Sequence, residues 1–193
     1  MNRHVLKEII PITKNDCYTV FSRVKTEFDF PLHYHEEYEI NMILNARGAQ
    51  RVVGDHISEI EDVELALIGP NIPHGWFTHN CKSKNIIEVT IQFHNDLFDD
   101  RFLKRNQLSF IRKMFAQSSK GILFSEATTR QLSERIIHLN KKHGFDGVLE
   151  LMSVLHDLSV SRNMQLLSGG TQYNATANAY TSSRVVKTME YLN

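Results

Sequence analysis

Three histidines and one glutamate are placed in this sequence as chemistry would need them. Residues 31–40 read PLHYHEEYEI, with His33 and His35 two apart and Glu39 four residues after His35. Side chains two apart on an extended strand point to the same side, so this spacing aims two imidazoles and a carboxylate into one space. A fourth group comes from residues 69–76, GPNIPHGW, where Pro70 and Pro73 stiffen the backbone and fix the direction of His74. His33, His35, Glu39 and His74 together make a donor set for a divalent metal such as zinc, manganese, iron or nickel. The same groups also suit a hydrogen-bonding pocket for an organic ligand with no metal. Trp76 is placed either to stack on a sugar ring or to close the mouth of the pocket. Asn41 and Gln92 offer amides that would orient a ligand.

Something must hold these side chains. Along Tyr38–Leu44 the residues alternate: Ile40, Met42 and Leu44 form an apolar face, while Glu39, Asn41 and Ile43 form a partly polar one. His33 and His35 share the odd parity of the polar face if the strand stays regular. A strand whose inward face is polar belongs to a barrel that holds water, a metal or a ligand. A buried Glu39 then requires a cation or hydrogen-bond donors. Other runs rich in Val, Ile, Phe, Tyr and Thr are Cys17–Val24, Gln50–Val53, Leu65–Ile68 and Ile86–Phe93, separated by glycine-containing turns. Short strands at such spacing predict a sandwich or barrel over residues 1–98.

From about residue 99 the period changes. Leu103, Leu108, Ile111 and Phe115 keep helical spacing. A second helix is expected to begin near Thr128, in a capping box with Gln131, to carry Leu132, Ile136, Ile137 and Leu139, and to end at Gly144. A third carries Val148, Leu149, Leu151, Met152, Leu155 and Leu158, an apolar face broad enough to cover the barrel or a second subunit. The helical segment is thus residues 99–165. Residues 166–183 are small, polar and nearly uncharged, as a linker is. Helical periodicity restarts over residues 184–193.

The bulk composition closes several routes. Of 193 residues, 41% are hydrophobic and 23% charged, as in an ordinary soluble domain. Lys plus Arg number 22 and Asp plus Glu 22, so no net field draws this chain to nucleic acid or an anionic membrane. Cys17 and Cys81 form neither a CxxC pair nor a disulfide framework. The first residues lack a signal peptide's apolar core and no run reaches membrane-spanning length, which makes the cytoplasm the expected location.

His33-x-His35-x3-Glu39, Gly48 and Pro70-x3-His74 resemble the two motifs of the cupin superfamily. The longer series FPLHYHEEYEIN, VVGDHI, LALIGPNIPHGW, VTIQF, KGILF and LELMSVLHDLS resembles the amino-terminal sensor half of AraC-type transcription regulators, especially those of Bacteroidetes. It covers about residues 15–165 in order, and residues 184–193 look like the first helix of the DNA-binding half. The motif spacings depart from those of metal-binding cupins: Gly48 lies farther from Glu39, Val63-Glu64 stands where Gly-Asp is usual, and Pro70 lies nearer His74. These departures bear on metal geometry and leave the barrel intact.

The resemblance implies a mainly β fold with α-helices, a cupin (double-stranded β-helix, jelly-roll) barrel followed by a helical dimerisation segment. It implies an effector-binding pocket of His33, His35, Glu39, Asn41, His74, Trp76 and Gln92, a small-molecule effector with a carbohydrate as one candidate, and a homodimer through helices within residues 126–162. DNA would be met only by a further carboxy-terminal domain, and the chain would not be an enzyme. The rival expectation is a metal-dependent cupin enzyme, a dioxygenase or isomerase; a stand-alone carbohydrate-binding module is a third.

Overall fold

The computed structural model describes residues 5–169. Eleven strands and four α-helices follow one another along them. The strands are β1 (Leu6–Lys7), β2 (Thr19–Lys25), β3 (His33–Tyr34), β4 (Tyr38–Leu44), β5 (Gln50–Val53), β6 (His56–Glu59), β7 (Val63–Ile68), β8 (His74–Phe77), β9 (Ile86–Phe93), β10 (Ile122–Leu123) and β11 (Gln165–Leu166). The helices are α1 (Asp100–Leu103), α2 (Ser109–Ser118), α3 (Glu126–His138) and α4 (Gly144–Val160). The fold is mainly β with a few helices, as expected.

The strands form two sheets, one ordered β1-β3-β8-β5-β6 and the other β11-β10-β7-β4-β9-β2. Side chains of one sheet bond those of the other across their inner faces, as Trp76 on β8 does with Glu64 on β7. Among the described residues no strand pairing joins the two sheets into a closed barrel.

Alternation in β4 sorts its side chains as predicted. Ile40 and Met42 pack with Leu65, Leu67, Val89 and Ile91 in a core shared with the helices. Ile43 faces the other way and joins Ile68, Ile72 and Trp76 between the sheets. The broad apolar face of α4 has its partner here: Leu151, Val154, Leu155 and Leu158 are buried in the core that covers the outer face of the second sheet. Arg135 of α3 clamps α4 through Glu150 at 2.6 Å, Ser153 at 2.7 Å and Asp157.

Several sequence expectations are corrected. Residues 33–44 are not one strand: β3 belongs to the first sheet and β4 to the second, and residues 35–37 turn the corner between them. Helix α3 is capped by Ser125, whose Oγ accepts from the Thr128 N–H at 3.3 Å; Thr128 lies inside the first turn. Gly144 does not end α3 but opens α4, at φ +56°, a left-handed backbone that favours glycine. Residues 166–168, expected to open the linker, belong to the fold. β11 pairs with β10, Leu167 and Ser168 are buried, and Ser168 Oγ donates to Asp55 at 2.8 Å. The remainder of that linker and the helix expected at 184–193 lie outside the described residues. No helix among the described residues is long and apolar enough to cross a membrane.

Candidate functional site

The antiparallel pairing of β3 with β8 makes His33 and His74 direct cross-strand partners, with ring centroids 4.3 Å apart. The corner after β3 brings His35 alongside, its ring 4.9 Å from His74. From the opposite sheet β4 contributes Glu39, buried to 2% exposure. Its Oε2 lies 3.1 Å from His35 Nε2 and 3.6 Å from His74 Nε2. One ligand atom from each of His33, His35, Glu39 and His74 lies within 4.8 Å of all the others. The four predicted donors therefore converge, although the strand expected to carry three of them is broken.

The far nitrogens of the imidazoles decide what the near ones offer. His33 Nδ1 meets the Pro31 carbonyl at 2.9 Å, His35 Nδ1 meets that of Glu37 at 3.1 Å, and His74 Nδ1 meets that of Ile72 at 2.8 Å. A carbonyl only accepts, so each Nδ1 carries the proton, and a neutral ring then presents a lone pair at Nε2. Burial, with His74 adding to it, pushes His33 down to about 3, so this ring is neutral. Burial opposes a proton on His35 as well, but the hydrogen bond and charge of Glu39 raise it. Burial would likewise raise Glu39, yet His74 and His35 hold it well below the usual carboxylate range. His74 Nε2 is buried with no hydrogen-bond partner. With each Nδ1 held by a carbonyl, every Nε2 that faces the Glu39 carboxylate needs a proton or a cation there, and the four donors can hold a divalent metal.

Neighbouring strands complete the surroundings of Glu39. Gln92, its partner on β9, donates from Nε2 to Oε2 at 3.0 Å, and Asn41 donates from Nδ2 to Oε1 at 3.3 Å. Their amide oxygens, Asn41 Oδ1 and Gln92 Oε1, are buried without partners. Beside them opens a cavity of about 210 Å³. Of the predicted residues, His33, Glu39, Asn41, Trp76 and Gln92 line it; His35 and His74 are buried beside Glu39 and do not.

Trp76 has a structural bond too. Its indole N–H donates to Glu64 Oε1 at 2.8 Å, and Arg51, its cross-strand neighbour, donates to Oε2 of the same carboxylate. Sequence reasoning passed over several lining residues: Phe21, Arg23 and Lys25 on β2, Glu88 on β9, and Glu8. Lys25 Nζ bonds Glu88 at 2.9 Å and Asp29 at 3.0 Å. Period-two alternation in β2 was the available signal for its three residues. Glu8 carried no such signal. Burial and the nearby Glu39 charge push its carboxyl up.

No family model matches this chain, and no curated protein does. Among solved structures the chain is similar to ToxT from Vibrio cholerae at 14% identity, over 86% of this chain and 62% of that one, with a TM-score of 0.46. It is similar to ToxT of V. cholerae strain SCE256 bound to an unsaturated fatty acid at 14% identity, over 92% of this chain and 65% of that one, with a TM-score of 0.44. A cupin 2 conserved barrel domain protein from Rhodopseudomonas palustris gives 19% identity over 45% of this chain and 57% of that one, with a TM-score of 0.31. The chain spans less than two thirds of the length of these ToxT structures.

Proposed function

We propose that this chain is the effector-binding and dimerisation part of an AraC-type transcription regulator, with its two sheets forming a cupin-like barrel. The observation that carries the reading is the cavity between polar inner faces, with the unpartnered amide oxygens of Asn41 and Gln92 among its walls. A hydroxylated small molecule, a carbohydrate first among candidates, supplies O–H donors for those oxygens and a face for the aromatic walls. Its differential affinity for two arrangements of the domain would bias a DNA-binding domain beyond residue 183. On this reading the chain does no chemistry, works in the cytoplasm and meets DNA only through that further domain. Phe145, Leu149 and Val160, apolar and exposed on α4, support a homodimer through helices within residues 126–162.

A second reading, a metal-dependent cupin enzyme (a dioxygenase or isomerase), is favoured by one observation, the convergence of His33, His35 and His74 on Glu39, each ring held at Nδ1 by a backbone carbonyl. His33, His35, Glu39 and His74 would hold zinc, manganese, iron or nickel, which as a Lewis acid would polarise a substrate oxygen. The residues' own part is to fix the tautomers, keep Glu39 ionised and exclude water from the buried side.

The test is the melting temperature against a panel of sugars and sugar acids, in wild type and in the Asn41→Ala/Gln92→Ala double variant. A true effector at about one hundred times its Kd stabilises by ~2.7 kcal/mol and raises the melting temperature by several degrees. The double variant should lose that rise. Stabilisation by no panel member, together with substrate turnover by metal-loaded protein, would overturn the regulator reading.

A further inference from the structure

One wall of the site comes from far away in the sequence. β1 runs parallel to β3, with Leu6 opposite His33 and Lys7 opposite Tyr34. The Leu6 N–H donates to the Leu32 carbonyl at 3.1 Å and the Glu8 N–H to the Tyr34 carbonyl at 2.9 Å, so the ladder runs on into residue 8. Lys7 turns outward to Glu36 at 2.7 Å. Glu8 turns inward, its Oε2 lying 3.5 Å from His33 Nε2 and 3.3 Å from Gln92 Nε2. That same Gln92 nitrogen donates to Glu39. Two carboxylates therefore share one amide donor beside three imidazoles.

Hydrogen bonding alone leaves this arrangement incomplete. His33 Nδ1 is taken up by the Pro31 carbonyl, so Nε2 is the ring nitrogen left to face Glu8 Oε2. The fully buried His74 Nε2 beside them has no partner. A cation set between them would take the imidazole nitrogens and both carboxylates at once.

We propose that Glu8 is a fifth protein ligand of the divalent metal, completing a shell of three imidazoles and two carboxylates. The proposal rests on the metal reading of His33, His35, Glu39 and His74 given above. A second carboxylate shifts preference from tetrahedral zinc toward oxygen-favouring, six-coordinate ions such as manganese(II). It also makes the metal a clasp on the amino-terminal strand, because residue 8 and the β3–β8 pair then hold one ion.

The experiment is calorimetric titration of metal-stripped, tag-free protein with manganese(II) and, separately, zinc(II), in wild type, Glu8→Gln and Glu39→Gln. Electron paramagnetic resonance of the manganese samples counts bound against free ion. We expect one manganese(II) per chain in wild type, binding weakened at least about tenfold in Glu8→Gln, a smaller change for zinc(II), and loss of both metals in Glu39→Gln. Circular dichroism melts without metal should leave Glu8→Gln within about a degree of wild type. Unchanged manganese binding in Glu8→Gln with loss in Glu39→Gln would remove Glu8 from the shell and leave the four-residue site standing. Failure of wild type to bind either metal would overturn the metal reading and this inference with it.

Discussion

Two carboxylates are buried on adjacent strands of one sheet, Glu39 on β4 and Glu64 on β7, at 2% and 5% exposure. Their surroundings differ in kind. Glu64 receives the indole N–H of Trp76 on one oxygen and the Arg51 guanidinium on the other, while Arg51 also bonds Ser58 at 2.8 Å. Glu39 receives two amides and otherwise faces imidazole nitrogens, and unpartnered atoms remain on His74, Asn41 and Gln92. The carboxyls shift oppositely: burial pushes Glu64 up despite Arg51, whereas the histidines hold Glu39 down despite burial. Both side chains are nearly inaccessible, so burial alone does not separate a structural ion pair from a binding site. The kind of partner does: both Glu64 oxygens accept from an indole or guanidinium N–H, whereas Glu39 faces imidazole nitrogens, although Arg51 Nε is itself buried without a partner.

The comparison can be broken most severely at Arg51. Arg51→Met strands Glu64 as an unpaired buried acid and should cost about 3–5 kcal/mol, while Arg51→Met/Glu64→Leu should recover most of that loss. Urea unfolding of both variants gives the answer, and equal losses would mean that the pair is not a self-contained unit. Trp76→Phe is milder. It keeps an aromatic ring but removes one donor from Glu64 and part of the buried indole, for an expected ~1–3 kcal/mol in the same assay. Glu39→Gln should be smaller still, within about 1 kcal/mol of wild type without metal or ligand, because relief of a buried charge offsets the weaker hydrogen bonds of a neutral amide. A loss there as large as at Arg51 would make Glu39 a second structural acid.

The smallest effect is expected outside both centres. The Lys142 hydrogen bond, and then that of Arg135, hold Glu150 below its ordinary value despite partial burial. With the folded value lower than the unfolded one, its stabilisation is present above about pH 4.5 and is lost as pH falls through the depressed value. Thermal melts from pH 7 to 3 should therefore show wild type converging on Glu150→Gln at the acid end, from a lead of under about 1 kcal/mol at neutral pH. A constant gap would mean that packing of the side chain, not its charge, supplies the effect.

The parts legible in the sequence are those fixed by local periodicity. The bounds of β4 and β9 follow from their runs of β-forming residues, and alternation sorts Glu39 and Asn41 from Ile40 and Met42. His33, His35, Glu39 and His74 are identifiable by type and spacing, although a corner rather than a straight strand brings them together. Glu8 is not legible, because a parallel pairing with residues 33–34 leaves no pattern near residue 8. The Arg51–Glu64–Trp76 network joins three strands of two sheets and has no spacing to betray it. Thr128-x-x-Gln131 fits the capping pattern, yet Ser125, three residues earlier, is the cap because it has the extended backbone that a cap needs.

Gly69 ends β7 and leads into the loop that carries His74. A Cβ there would stand 2.8 Å from the Ser118 backbone at the end of α2, and the Gly69 N–H bonds the Ser118 carbonyl at 3.0 Å. In mechanical terms this is a bolted joint. Gly69 itself brings no side chain to this contact, so the root of the loop that aims His74 rests directly on Ser118, through its backbone and its hydroxyl.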